Sequence, residues 1–168
     1  MKLHGLLATF PTEIKIFIAS FVIILSIGFF TGLLFVNETS SANPSGIQEN
    51  YLGNEENEDA AVMKFHKSER EMLTIVHTHI LSMSFIFFLL GILVWMTKLS
   101  KNTKLFLTVE PFLSVLLTFG GIYLLWTGVL WMKYVVIFSG VLMTLTYSIS
   151  VLAVLQQLIR KSGNPDKI

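Results

Sequence analysis

The sequence predicts an all-α integral membrane protein: a four-helix bundle with a long external loop between its first two helices. Three observations predict it. Only 14% of the 168 residues are charged and 53% are hydrophobic, with a mean hydropathy of +0.69, whereas a soluble domain carries about 25% charged residues. Four apolar runs are each long enough to cross a bilayer, which takes roughly 20 residues at helical rise. Lys and Arg are also distributed unevenly about those runs. A membrane barrel would instead show alternating segments of about 10 residues, and these runs are continuously apolar and more than twice as long.

The first run, residues 14–36, "IKIFIASFVIILSIGFFTGLLFV", follows a short polar opening in which Thr12 is a candidate cap after Pro11. A cleaved signal peptide has a hydrophobic stretch of about 7–15 residues. This run is longer, so it is expected to remain as an anchor despite the small residues "SSA" at 40–42. Gly28 and Gly32 form a GxxxG pattern, a helix-packing face.

The loop 37–71 holds eight acids against three bases, a net of −5. Asn43-Pro44-Ser45-Gly46 reads as a turn, and the acidic run "NEENED" at 54–59 reads as solvated chain. Its acids lack the spacing of a calcium loop. Ile47, Tyr51, Leu52, Val62, Met63 and Phe65 are too apolar for a disordered tail, so part of the loop should pack on the outer end of the bundle. Ser68 and Glu71 form an S-x-x-E capping box before the second run.

That second run, 72–97, carries His77 and His79. Ionisable residues inside a membrane helix are costly and mark candidate functional sites. His77 lies nine residues past Ser68, about 13 Å along the helix and so in the outer part of the membrane. The two histidines are about 200° apart on a helix and cannot clamp one ion together. His77 shares a face with Leu81, Ser84, Phe88 and Gly91, whose small residues permit close helix approach. His77 is therefore expected to face the bundle. His79, with Ile75, Ser82, Met83 and Ile86, is expected to face another neighbour, a second subunit or the interface.

The third run, 105–126, contains Glu110-Pro111. Proline suits a first helical turn, so the helix is expected to start there with Glu110 as an interfacial cap, or as a proton-relay carboxylate. Ser114, Thr118 and Gly121 form a packing stripe. The fourth run, 134–158, is joined to the third by "TGVLWMK", which makes an antiparallel hairpin. Thr144, Tyr147, Ser148 and Ser150 make its middle polar. The chain reads as a single membrane domain, 1–168.

Lys2, Lys15, Lys98, Lys101, Lys104, Arg160, Lys161 and Lys167 fall on one side, and Lys64, Lys67, Arg70 and Lys133 on the other. Positive-inside bias then predicts a multi-pass protein of the cytoplasmic (inner) membrane, with N- and C-termini cytoplasmic and loop 37–71 external. Trp95, Trp126 and Trp131 sit at interfacial-belt positions.

With no cysteine, thiolate metal sites, iron–sulfur clusters and CxxCH haem attachment are excluded. The net charge of +1 gives no field suited to nucleic acid. No nucleophile elbow, P-loop, HExxH or Rossmann signature occurs, so no catalytic residue is assigned and a non-enzyme is the better reading. Imidazole can ligate b-type haem, copper or zinc. His77 and His79 are the candidate cofactor-binding residues, and His66, His77, His79 and Met72 the candidate metal ligands. The third and fourth runs hold no histidine. A bis-histidine haem would therefore need a second copy, a partner protein or an axial methionine from Met63, Met72, Met83 or Met132.

The stretch "HTHILSMSFIFFLLG" resembles the H-x-H-L helix of small four-helix bacterial membrane proteins distantly similar to the catalytic subunit of haem–copper oxidases. The resemblance covers one helix. The histidines that would hold a second haem and copper are missing, so oxygen reduction by this chain alone is not implied. The wider order (anchor, loop with "GI…Y.GN", then "K…EML…H.H") resembles small bacterial membrane proteins and implies topology without activity.

Three functions follow as expectations. The first is a redox-linked accessory protein with haem b or copper on a histidine near the external face. The second is a non-catalytic structural or assembly subunit, alone in lipid, as a homodimer or in a larger membrane complex, whose histidines only lock helices. The third is a small channel or transporter, disfavoured by the scarcity of intramembrane charge and the lack of an inverted repeat.

Overall fold

The computed structural model describes residues 3–40, 43–57 and 60–159. Lys2, Arg160, Lys161 and Lys167, used above for orientation, lie outside the described residues, as do Glu58, Asp59, Ser41 and Ala42. Among the described residues the fold is all helix: α1 (Leu6–Thr9), α2 (Thr12–Ser40), α3 (Pro44–Leu52), α4 (Glu69–Trp95), α5 (Lys101–Trp126) and α6 (Met132–Ile159). Helices α2, α4, α5 and α6 are long and apolar enough to cross a membrane. They alternate in direction, so α1 lies at one end of the bundle and α3 at the other.

Local chemistry sets each start. Ser68 caps α4 as expected: Ser68 N donates to Glu71 Oε2 at 2.8 Å and Glu71 N to Ser68 Oγ at 3.4 Å. Ser100 caps α5, accepting from Thr103 N at 3.2 Å. This corrects the expected start at Pro111, which instead lies buried inside the helix. A capping serine eleven residues earlier satisfies the first free N–H groups, and neighbouring helices tolerate an interior proline in a membrane span.

The expected turn at Asn43–Gly46 is also a helix start. Asn43 Oδ1 accepts from Gly46 N at 2.8 Å and Pro44 takes the first helical position, where its missing N–H costs nothing. Gly46 is required there, because a Cβ would run into the carbonyl oxygen of Ser40.

Helices α5 and α6 pack most extensively, followed by α4 on α5. The Ser114, Thr118, Gly121 stripe is buried against α6, where Thr118 and Ser139 hydroxyls bond at 2.7 Å. Helix α2 is peripheral: 17% of its apolar stretch is buried within the protein, against 50% for α5. It is held at mid-height, where Phe29 meets Phe87 of α4 and Tyr147 of α6. Gly28 and Gly32 point into open space, so this GxxxG pattern meets no other helix among the described residues.

Both ends carry a plug. At the first end, Gly5 N donates to Thr97 O at 3.0 Å and Leu7 is fully buried. Lys104, counted among the loop lysines in the sequence, is instead buried in α5. Its Nζ donates to Trp95 O at 2.9 Å and Thr97 O at 2.6 Å. These are carbonyls at the C-terminus of α4, where a cation is favoured. At the other end, α3 packs on the ends of α5 and α6 and buries Ile47, as expected of the loop's apolar residues, whereas Val62, Met63 and Phe65, expected to pack with it, stay exposed. Asn54 clasps the loop through Lys64 N at 2.7 Å and Val62 O at 3.0 Å.

Candidate functional site

The candidate ligands all lie toward the α3 end of α4, and the capped start of that helix fixes their depth. His77 is exposed on the outside of the bundle. It lines a shallow surface depression of about 650 Å³ with Glu69, Arg70, Leu73, Thr74 and Thr78, all residues of α4 itself. Above and below it on the same face, Leu73, Leu81, Phe85, Phe88 and Ile92 are exposed. Among the described residues no hydrogen bond or ion pair reaches the His77 ring.

This reverses the expectation that His77 faces the bundle. Gly91 does pack inward, with a Cβ there meeting Thr108 of α5 at 3.4 Å. But an α-helix drifts about 20° per seven residues. The stripe that includes Gly91 therefore rotates out of contact by the time it reaches position 77, two heptads earlier.

His79 is the histidine that touches a neighbour. Its ring stacks on Phe119 of α5 with centroids 4.7 Å apart and planes inclined by 27°. Its Nδ1 lies 2.7 Å from Ile75 O. A carbonyl can only accept, so Nδ1–H donates to it, and in the neutral form of the ring Nε2 keeps its lone pair. A backbone carbonyl on one ring nitrogen is also how metal-ligating histidines are commonly oriented.

His66 is exposed at the loop end, 5.8 Å from the Trp126 ring. Trp126 Nε1 donates to Lys67 O at 2.8 Å and lies 5.7 Å from Tyr123. His66, Trp126, Tyr123, Phe119 and His79 thus follow one another along the α4–α5 seam. Met72 is fully buried in the core. Tyr51 borders this region from α3, where burial lifts its phenol above the ordinary value and a bond with Asn50 opposes the lift.

The four candidate metal ligands are therefore not brought to one point. His77 looks outward, His79 lies against Phe119, His66 is near Trp126, and the Met72 sulfur is enclosed. Among the described residues no three His, Asp or Glu side chains converge as a metal site. Sequence reasoning separated His77 from His79 correctly by helical angle. It missed the His79–Phe119 contact, because nothing in α4 alone says which side meets α5.

A model of the Aq_1264_TM family, described as a transmembrane helical domain, matches residues 41–165. The chain belongs to this family. The matched stretch takes in α3, the loop and the mutually packed α4, α5 and α6, and it leaves out the peripheral α2. The protein is therefore a membrane protein built on this helical domain. The comparisons show no likeness to haem–copper oxidases. No curated protein and no solved structure matches the chain.

Proposed function

We propose that this protein is a non-catalytic subunit of a larger membrane complex, docked to a partner's transmembrane helix through the outward face of α4. His77 carries the reading. It is an imidazole at hydrocarbon depth, exposed between Leu73 and Leu81, with no partner among the described residues. A polar ring facing lipid is costly, and helix association supplies bonds worth about 0.6–2 kcal/mol. The partner's helix would offer His77 a hydroxyl or carbonyl. Its flank would meet Arg70 and Glu69 at the membrane surface.

The basic α1 end and the acidic loop favour cytoplasmic termini and an external loop in the cytoplasmic membrane, with residues 1–168 acting as one membrane domain. A cysteine replacing exposed Glu56 should react with an impermeant maleimide added outside intact cells. Reaction only after lysis would reverse the orientation.

Photo-crosslinking tests the docking. A photoreactive residue at Leu81, on the His77 face, should give one discrete protein adduct in membranes, and His77→Leu should diminish it. The same probe at Leu116 of α5, also exposed, is the lipid-facing control. Adducts to lipid alone at both positions would sink the reading.

A second reading rests on His79, whose Nδ1–H to Ile75 O bond leaves Nε2 open. It is a redox-linked accessory protein in which His79 or His77 supplies one ligand to haem b or copper and the partner supplies the other. A Soret band or stoichiometric copper in the purified complex, lost in His79→Ala or His77→Ala, would favour it. A colourless, copper-free complex would eliminate it.

A further inference from the structure

Glu110 is the one acidic residue away from the ends of the four spanning helices. It is 8% exposed. Ser114 Oγ donates to its Oε1, and its Oε2 has no partner among the described residues. Helix register places it inside the spanning stretch, ten residues into the 26-residue α5 and nearer its α1 end. Thr118 and Ser139 are bonded across the hairpin. Eight residues from each, about 12 Å along antiparallel axes, Glu110 comes level with Tyr147. On α4, the contact of Gly91 with Thr108 puts Glu110 level with about Leu89. This is the height at which Phe29, Phe87 and Tyr147 cluster.

Among the described residues the surroundings offer no counter-charge. Helix α4 has no ionisable side chain between Met83 and Trp95. From α6 the titratable group at this height is Tyr147, which donates to Ser26 of α2 at 3.3 Å. On α5 the nearest cation is Lys104, six residues away toward α1, with its ammonium held by Trp95 O, Thr97 O and His4 Nδ1. An ionised carboxylate with one orphaned oxygen in such a place is costly. A proton on Oε2 removes the charge.

Other buried polar side chains lie on either side of this height. The buried face of α6 carries Thr146, Tyr147, Ser150 and Gln157. Gln157 lies toward the α1 end, separated from Ser150 by the buried Val151 and Val154, and its Oε1 is buried without a donor among the described residues. Along α5, Ser114 and Thr118 extend the other way.

We propose that Glu110 is a proton-binding site inside the bundle. The carboxylate takes one proton from water to become the neutral acid, with O–H at Oε2, and returns it to water on release. This does not rest on the docking role of His77.

The full-length protein in detergent can be treated with dicyclohexylcarbodiimide, which adds to protonated carboxyl groups in apolar surroundings, and mapped by peptide mass. Labelling should concentrate at Glu110, fall severalfold as the pH is raised, and vanish in Glu110→Gln. Infrared difference spectra of the unmodified protein supply a second readout. A carboxylic C=O band that fades with rising pH and is missing from Glu110→Gln supports the site even if the reagent cannot reach it. An ionised carboxylate throughout the pH range, with no labelling, overturns the proposal. Protection by sodium but not by choline, without pH dependence, overturns it in favour of a metal cation. Wild-type pH dependence alone decides the matter if Glu110→Gln does not fold.

Discussion

Phe29 of α2 lies flat on Tyr147 of α6, with ring centroids 3.8 Å apart and planes within 6°. In a membrane, removing an aromatic ring does not return apolar surface to water, so what is lost is the ring pair itself. Phe29→Ala should weaken the seating of α2 by about 0.5–1.5 kcal/mol. A distance between spin labels on α2 and α6 should broaden, while helicity stays constant. Tyr147→Phe keeps the stack and should change little, since the bond it removes to Ser26 is long at 3.3 Å. A larger effect from Tyr147→Phe than from Phe29→Ala would show that the hydroxyl, not the ring, holds α2.

Lys104 ties the C-terminus of α4 to the N-terminal plug. Lys104→Met leaves Trp95 O and Thr97 O without its ammonium, a loss of about 1–3 kcal/mol for buried groups. The thermal midpoint in detergent should fall, and the segment before Thr12 should become sensitive to protease. An unchanged midpoint and an intact N-terminus would mean that Gly5 N on Thr97 O holds the plug by itself.

Ser68→Ala removes one arm of the capping box on α4 and should lower stability by about 1 kcal/mol. Its signature is local. Amide hydrogen exchange should quicken at Glu69–Glu71 and leave the middle of α4 unaltered. Uniform acceleration along the helix would contradict a simple cap.

Gly46→Ala places a methyl group against Ser40 O, so α3 must lift from the end of α2. Trypsin should then cut after Lys64 and Lys67 several times faster than in the wild type. Unchanged cleavage would show that the loop is held by the Asn54 clasp alone.

How much of this could be read from the sequence depended on how far each signal reaches. The four spans and the start of α4 rest on local information, namely apolar length and the Ser68–Glu71 spacing, and both were legible. The α5 start was misread because Pro111 advertises a boundary while Ser100, the working cap, looks like an ordinary loop serine. Lys104 was counted as a loop charge because its partners, Trp95 O and Thr97 O, are backbone atoms of another helix. The outward turn of His77 depended on which α4 face meets α5. That is a tertiary choice, and an apolar helix in lipid shows no strong amphipathic stripe to reveal it.

Helix α2 is fastened near its two ends and, between them, by the Phe29 contacts at mid-height. Lys15 Nζ bonds Ala8 O at 2.9 Å below, and Lys64 Nζ bonds Thr39 O at 2.8 Å above. Its 29 residues measure about 43 Å at helical rise, against about 30 Å of hydrocarbon. Such a strut is sensitive to bilayer thickness. Shortening the acyl chains should tilt it against the more tightly packed α4–α6 unit and open the Phe29–Tyr147 stack, while lengthening them should straighten it. The α2–α6 spin-label distance in vesicles of graded chain length would record this as a progressive change. A distance indifferent to chain length would show that α2 moves rigidly with the rest of the bundle.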